Sequence, residues 1–363
     1  MAPPSPSRAQ RAAATRRRNQ ADAVARIRAR TAHQDRAVAV TPSVFVQAML
    51  PHKETYLLDA HGQRVSAPTG RLARDGTPET RDLLALDHVA TNGAFTLTVR
   101  AGTRTGPTPL HPRVSLGVPS GGLARLLLTH VVTQAMQRGS PTVPLGRTLA
   151  DLCRALDVTP SGGRKGRLRY LFDQLLRLAT CSAAFQWEAG TGYGHRGRER
   201  YRGKTLLLID AYDLWWERAA QTAATGRDAP MEAAGGTLTL SAQLWKVCQD
   251  GCVPLDWRKL QFLRGYPLAL DLYLFLTHRL ARLQAGPRST LALGYDRLHA
   301  QLGSHYATGP GSGLTDRGKK DFGHRLRQAL DRVRLLWPAL RVDTPRGRFV
   351  LHDTGPDIPG RPR

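Results

Sequence analysis

The chain has 363 residues, of which 41% are hydrophobic, and it carries 53 Lys+Arg against 28 Asp+Glu for a formal net charge of +25. This length suits two or more domains with separate cores, and the 4 cysteines give no disulfide framework. A positive excess of this size repels itself unless a polyanion screens it, so a nucleic-acid backbone is the expected partner. No apolar run reaches the roughly 18–20 residues that cross a bilayer. We therefore expect no membrane partner and a cytoplasmic protein with reduced cysteines.

The N-terminal segment, residues 1–40, holds nine arginines and two aspartates but no aromatic residue. A segment of this composition cannot bury a core, so we expect a disordered basic arm, with a short helix around Asp22–Arg30 as an alternative for that part. Such an arm either adds non-specific DNA affinity or is a solvated tail. An organellar transit peptide would have a similar composition.

The first domain is expected over residues 41–217. Phe95–Arg100 alternates apolar and polar residues, as a half-buried strand does. A helix with a stripe of leucines is predicted from Ser120 to Gly139, and a second helix is predicted to be capped by Thr148.

The end of this domain is predicted to carry a basic helix and a wing. After a Gly-rich break, RLRYLFDQLLRL has an apolar face and basic residues at its start. CSAAFQWE and KTLLLIDAYDLWW then predict two strands around a Gly/Arg-rich loop. Residues 218–236 are rich in Gly and Ala, which is typical of an interdomain linker. Two domains joined in this way are expected to bind one DNA site with avidity.

The second domain is expected over residues 237–363. It begins with a TLTL strand and a helix capped by Ser241, followed by the long apolar helix YPLALDLYLFLTHRLARL. A second pair of helices is predicted from Leu291 to Trp337, and its second helix is again basic and amphipathic. LRVDTPRGRFVLH then predicts a hairpin with arginines at its tip.

The same order of elements thus occurs twice: a small helix, a Gly/Ser-rich turn, a basic helix and an arginine-tipped strand pair. This order is typical of a winged helix, whose second helix enters the DNA major groove. The sequence therefore predicts an α+β protein of two tandem winged-helix domains with a disordered basic N-terminal arm. The alternative for each basic helix is a core helix whose outer face is merely solvated. Three signals in both halves favour DNA binding instead: a Gly-rich turn before the helix, basic residues at its start, and an arginine-tipped hairpin after it. The predicted DNA-contacting residues are Ser161, Gly163, Arg164, Lys165, Arg167, Arg169, Arg196, Arg198, Arg317, Lys319, Lys320, Arg325, Arg327, Arg346 and Arg348.

Patterns of catalysis or cofactor binding are absent from the sequence. No HxH pair is present, and Gly203-Lys204-Thr205 precedes an apolar strand, whereas a phosphate-binding loop follows one. Cys248 and Cys252 have no second ligand pair nearby for zinc. Asp271, like Asp256 and Asp331, is expected to be a surface or salt-bridge residue. We expect no enzymatic activity, no catalytic residue, no metal and no cofactor.

Several segments together resemble the plasmid RepA-type replication initiators. They are VPSGGLARLLLTHVVTQA, LGRTLADLCRALDV, SGGRKGRLRYLFDQLLRL and LSAQLWKVCQDGCVPLDWRKLQFLRGYPLALDLYLFLTHRL. The resemblance implies a theta-mode initiator that binds direct repeats of double-stranded DNA at a plasmid origin and opens the duplex. It also implies the host initiator and the replicative helicase as partners, a homodimeric form, and a location with the plasmid in the nucleoid. It does not explain the arginine-rich arm.

Two other functions remain as alternatives. A transcriptional repressor would use the same domains without a role in replication. A rolling-circle nicking enzyme would need a histidine pair, a carboxylate and a positioned tyrosine. Direct repeats of about two DNA turns beside the gene would favour the initiator.

Overall fold

The computed structural model describes residues 7–53, 57–58, 64–65, 87–108, 111–162, 166–189, 200–214, 236–302 and 314–358. The helices are α1 Arg8–Ala29, α2 Val44–Gln47, α3 Gly121–Arg138, α4 Leu149–Ala155, α5 Arg167–Thr180, α6 Ala242–Asp250, α7 Trp257–Leu263, α8 Pro267–Gln284, α9 Tyr295–Gln301 and α10 Asp316–Leu336. The strands are β1 Val38–Pro42, β2 Leu57–Leu58, β3 Arg64–Val65, β4 His88–Asn92, β5 Phe95–Arg100, β6 Gly102–Thr108, β7 His111–Gly117, β8 Thr142–Pro144, β9 Ser182–Ala189, β10 Arg200–Leu207, β11 Ile209–Asp213, β12 Thr237–Leu240, β13 Cys252–Asp256, β14 Thr290–Gly294, β15 Val342–Asp343 and β16 Arg348–His352. The mixture of helices and strands confirms the predicted α+β class.

The N-terminal arm differs from the sequence prediction. Residues 8–29 form helix α1, and β1 follows it, so the predicted disorder of residues 1–40 is wrong for this part. Ser7 and Gln10 make a capping box, in which the Ser7 hydroxyl accepts from the Gln10 backbone N–H at 3.2 Å. Alanine and arginine are strong helix formers, so this segment is helical although its composition offers few core residues.

The first helical unit consists of α3, β8, α4, α5, β11 and β12. Its sheet has the order β11-β12-β8, so the last strand lies between the other two. α3 ends where predicted, at Gly139 with a φ of 65°, a conformation that favours glycine. Thr148 caps α4 as predicted, since its hydroxyl accepts from the Asp151 backbone N–H at 3.1 Å.

The predicted strand KTLLLIDAYDLWW is divided between two sheets. It bends at Leu208, so that β10 pairs with β9 in the sheet β10-β9-β5-β4, whereas β11 pairs with β12. β5 has the predicted bounds Phe95–Arg100. β12, which the sequence assigned to the start of the second domain, therefore lies in a sheet of the first unit. The predicted linker 218–236, apart from Gly236, lies outside the described residues.

The second helical unit repeats the order of the first, with α8, β14, α9, α10, β15 and β16. Its sheet has the order β14-β16-β15, so the last strand again lies in the middle. The predicted hairpin LRVDTPRGRFVLH forms β15 and β16, and the Ser241 hydroxyl caps α6 by accepting from the Leu244 backbone N–H at 3.0 Å. Among the described helices, none is both long and apolar enough to cross a membrane.

The two units are in close contact. β1, which comes before the first unit in the chain, pairs with β13, which precedes α8 of the second. A Cβ atom on Gly122 would lie only 1.9 Å from the carbonyl oxygen of Arg264, so α3 approaches this backbone as closely as a glycine permits. Buried side chains from both units belong to one hydrophobic cluster. A shared core of this kind holds the units in a fixed orientation.

His278 on α8 predicts a pH-dependent stability. Burial, followed by the charges of Arg279 and Arg282, lowers the pKa of His278 from 6.5 to about 4. The unfolded chain binds this proton below about pH 6.5 and the folded chain does so only near pH 4, so stability is complete above that window and falls as the pH drops through it. The loss should be about 3 kcal/mol. Urea unfolding of the wild type and of His278→Gln at several pH values tests this, and equal pH slopes in the two proteins would contradict it.

Candidate nucleic-acid interface

Helix α10 separates its apolar and basic residues onto opposite faces. Phe322, Leu326, Leu330 and Val333 are buried, and the next predicted core residue, Trp337, is buried just beyond the helix. The predicted contact residues on the other face are all exposed: Arg317, Lys319, Lys320, Arg325 and Arg327. An amphipathic helix presents its polar stripe to solvent or to a partner in this way.

The start of α10 is held by its cap and by contact with α9. The Thr315 hydroxyl accepts from the Gly318 backbone N–H at 3.0 Å. Phe322 meets the ring of Tyr295 edge-on, with the ring centroids 5.7 Å apart. A Cβ on Gly323 would come within 2.6 Å of the Tyr295 ring, so glycine permits this close packing. α9 therefore fixes the orientation of α10.

The ion pairs of α10 are weak enough to exchange for phosphate. Lys319 Nζ lies 3.6 Å from Asp296 Oδ2, and Arg317 Nε lies 4.0 Å from Asp321 Oδ2. All four side chains are at least 44% exposed. Exposed pairs of this kind contribute about 0–1 kcal/mol, so a phosphate oxygen can replace the carboxylate at little cost.

The turn between β15 and β16 adds two further cations. Arg346 and Arg348 are exposed on either side of Gly347, whose φ of 71° suits glycine. Below the turn, the Nε2 atom of His352 lies 2.7 Å from Oδ2 of Asp343. The second unit thus presents a basic helix and an arginine-tipped strand pair, as the sequence predicts.

The first unit presents the start of α5. Arg167 and Arg169 are exposed in its first turn, and the exposed Ser161 accepts from the Arg167 backbone N–H at 3.0 Å through its hydroxyl. Arg169 Nε lies 3.2 Å from Asp173 Oδ1 on the next turn. Tyr170, 44% exposed, stands beside these cations and was not among the predicted residues. Its position three residues after Arg167 could have indicated it, because residues three apart on a helix are neighbours on one face.

Five of the predicted contact residues lie outside the described part of the chain: Gly163, Arg164, Lys165, Arg196 and Arg198. The last two belong to the connection between β9 and β10, which was predicted to be the wing. In the first unit, however, the strand pair that corresponds to β15–β16 is β11–β12, because it pairs with β8. Strand pairing is non-local, and the sequence pattern could not distinguish these two hairpins.

Two cavities that share three lining residues lie beside the basic helices, one at α10 and the other at α5. One, of about 470 Å³, is lined by Lys53, Arg325 and Arg332. The other, of about 360 Å³, is lined by Arg167 and Arg264 together with Tyr170. His52, Gly265 and Pro267 line both cavities.

Three of these cations were missed by the sequence analysis: Lys53, Arg264 and Arg332. The Arg332 guanidinium lies over the Tyr266 ring at 4.2 Å, and Arg264 Nη1 lies 3.1 Å from Asp157 Oδ2. No local pattern could have revealed them, because they come from separate segments that only the fold brings together.

A buried ion cluster lies behind these cavities and joins the two units. Asp271 on α8 is fully buried; its Oδ2 lies 2.7 Å from both Nη2 of Arg125 on α3 and Nε2 of His52. Arg125 also donates to the carbonyl oxygens of Pro51 at 3.1 Å and Gly121 at 2.8 Å. Asp271 is thus a salt-bridge residue, as predicted.

The pKa values of this cluster reflect its burial. Burial alone would raise the pKa of Asp271, but Arg125 and His52, through their charges and hydrogen bonds, lower it below its usual value. Burial lowers the pKa of His52 even though the Asp271 carboxylate opposes this. The cluster therefore holds an ionised aspartate between the two units at neutral pH.

Residues 118–297 match the family model described as plasmid-encoded RepA protein. This segment, about half of the chain, belongs to the RepA family. This confirms the RepA-type resemblance carried by the sequence motifs. The match begins just before α3, includes α5 and ends within α9, before α10.

Two solved structures are also similar to the chain, both of domains 2 and 3 of RctB. The selenomethionine derivative has 12% identity and a TM-score of 0.44, and the alignment covers 86% of this chain and 97% of the RctB chain. A second structure of these domains has 12% identity and a TM-score of 0.37, and the alignment covers 85% of this chain and 96% of the RctB chain. TM-scores this low do not establish a shared fold. Among curated proteins, no sequence matches significantly.

Substitutions on the two faces of α5 and α10 should have opposite effects. Arg167→Ala and Lys320→Ala should weaken specific DNA binding and leave the fold intact, because both side chains are exposed. Leu171→Ala and Leu326→Ala should destabilise the protein by about 2–5 kcal/mol, because both leucines are 0% exposed. Urea unfolding and DNA titration of the four variants measure both effects. If the arginine and lysine variants unfold and the leucine variants do not, the buried and exposed faces of the two helices are reversed.

Proposed function

We propose that this RepA-family protein is a replication initiator that binds double-stranded DNA repeats at a plasmid origin through two winged-helix units. In each unit, the basic helix would lie in a major groove and the following strand pair would contact the flanking backbone. The proposal includes origin opening without catalysis, metal or cofactor. It places the protein in the cytoplasm with its plasmid, where the host initiator and the replicative helicase would be its partners.

One observation supports this proposal most directly: α5 and α10 both bring arginines to the same pair of adjoining cavities. Arg167 of the first unit lines one cavity and Arg325 of the second unit lines the other, and Gly265 lines both. The two helices therefore flank one basic surface. A duplex crossing this surface would meet both helices, and its phosphates between them would face Lys53 and Arg332.

The strand order supports the winged-helix part of the proposal. Both units place their last strand between the first and second strands, β12 in one and β16 in the other. In a winged helix, this arrangement brings the hairpin loop next to the recognition helix. We propose that the β15–β16 turn is the wing of the second unit; the corresponding β11–β12 connection lies almost entirely outside the described residues.

Footprinting on the DNA that flanks the protein's own gene tests the proposed function. We expect protection of direct repeats, with two protected major-groove segments on one face of each repeat, about 10–10.5 base pairs apart. Arg167→Ala should weaken protection of one segment and Lys320→Ala that of the other. Protection of a single promoter site without repeats would instead indicate a repressor, and nicking of supercoiled origin DNA in the presence of metal would indicate an endonuclease.

A further inference from the structure

Helix α1 is packed against the protein at its C-terminal end only. Ile27 is 7% exposed, and Arg28 Nε donates to the carbonyl oxygen of Leu335, at the end of α10, at 2.7 Å. In contrast, every residue from 9 to 22 is exposed. About two thirds of the helix therefore has no buried face within the described part of the chain.

The attachment of α1 is specific and joins it to α7 as well as to α10. Arg258 on α7 makes an ion pair with Asp35 and donates to the Arg30 carbonyl oxygen at 2.9 Å. Arg30 Nε in turn lies 2.9 Å from Asp35 Oδ1. These contacts fix the end of α1, and with it the direction in which the rest of the helix points.

The course of α1 takes it past the first unit. Asn19 and Gln20 line a cavity of about 960 Å³ together with Arg264 and with Asp157, which follows α4. α4 precedes α5, the first proposed recognition helix. α1 therefore extends from the end of α10 across α7 towards Asp157, in the segment that joins α4 to α5.

A helix with no buried face needs a partner to remain ordered. Isolated helices shorter than about 12–15 residues are marginal in water, and residues 9–22 are all exposed in the described structure. Residues 8–22 carry five arginines against a single aspartate. Arg11 and Arg18 fall on one helical face by their spacing, on the side away from Ile27. The charge fits a polyanion.

The composition of α1 also distinguishes between polyanions. A helix that lies on an acidic membrane buries large apolar residues such as Trp, Phe or Leu. Between residues 8 and 22 the only apolar side chains are alanines. The stretch therefore has charge for phosphate but nothing to insert into lipid.

We propose that α1 is a third DNA-contacting element, which binds the phosphate backbone beside the site that α5 and α10 read. This rests on the proposed function. From Arg8 to Arg18 the helix rises about 15 Å, which corresponds to roughly four or five base pairs of duplex at 3.4 Å each. The contacts are with phosphate, so α1 adds affinity on any sequence and leaves the specificity ratio unchanged.

The test is a triple variant, Arg8→Gln/Arg11→Gln/Arg18→Gln, titrated with repeat DNA and with unrelated duplex at several salt concentrations. Glutamine keeps the helix propensity and removes the charge. Each lost phosphate contact reduces the slope of log affinity against log salt by about 0.9, so the slope should become shallower by roughly 2–3 on both DNAs. The hydroxyl-radical footprint on the repeat should shorten at one end only.

A matched control removes three exposed cations from other surfaces: Arg138→Gln/Lys246→Gln/Arg288→Gln. It lowers the net charge equally and should leave the slope and the footprint unchanged. If the two triple variants behave alike, α1 makes no DNA contact and the inference is wrong. If instead the wild type shows no preference for the repeat, the proposed function fails, whereas a slope difference on unrelated duplex would still support α1 as a DNA contact.

Discussion

Replacing Asp271 by alanine is expected to destabilise the protein by about 3–5 kcal/mol. The substitution leaves the Arg125 guanidinium, only 4% exposed, without its carboxylate in the core between the two units. Removal of one partner from a buried ion pair costs this much because the remaining charge is not compensated. Denaturant unfolding measures the loss.

Two comparison variants isolate this effect. Asp250→Ala removes an ion pair with Lys246 whose side chains are 67% and 60% exposed, so it should cost about 0–1 kcal/mol. The double variant Arg125→Leu/Asp271→Leu removes both buried charges and should cost less than the sum of the two single variants. An Asp271→Ala loss no larger than that of Asp250→Ala would show that the cluster does not hold the units together.

Acid should weaken the same cluster, so that its contribution to the stability of the fold decreases as the pH falls. The folded pKa of Asp271 is lowered, so its contribution to stability is complete above the unfolded value of about 3.9 and is lost as the pH falls through the folded value. The folded pKa of His52 is also lowered, so protonation opposes folding from about pH 6.5 downwards. Both groups therefore make the contact between the units less stable in acid.

Cutting the chain within residues 224–235 should leave a single particle. β11 before the cut pairs with β12 after it, and β1 pairs with β13, so two sheets cross the cut. A protein with a protease site placed there should elute as one species after cleavage and bind repeat DNA within a few-fold of the uncut protein. Its two parts should separate only in denaturant.

The two parts expressed separately should behave very differently. Each lacks strands that complete its sheets and exposes apolar surface that the other part covers. We expect each to lose cooperative unfolding and at least about a hundredfold in DNA affinity. If the cut protein separates into two folded parts in native buffer, the units are joined by the connection alone, as the sequence first suggested.

The sequence predicted those features that depend on local periodicity. The faces of α10 follow directly from the spacing of Phe322, Leu326 and Leu330, and the cap at Thr148 follows from a short motif. Only the last part of α1, around Asp22–Arg30, is predicted, because the composition of residues 1–40 is poor in core residues and indicates disorder, although its alanines and arginines favour a helix.

Features that depend on long-range pairing could not be predicted in this way. The bend at Leu208 sends one continuous apolar segment into two sheets, and only the positions of β9 and β12 decide where each half pairs. Asp271 was correctly expected to be a salt-bridge residue, but its partner is 146 positions away. The cations that line the two cavities, such as Lys53, could not be predicted for the same reason, because only the fold brings their separate segments together.

Salt dependence of binding to the repeat DNA is the most direct test of a two-unit DNA-binding surface. Contacts from two helices and two wings reach roughly 6–10 phosphates, each of which contributes about −0.9 to the slope of log affinity against log salt. Affinity should therefore fall at least about a hundredfold between about 50 and 200 mM salt. A nearly flat response over this range would contradict the electrostatic surface formed by α5 and α10.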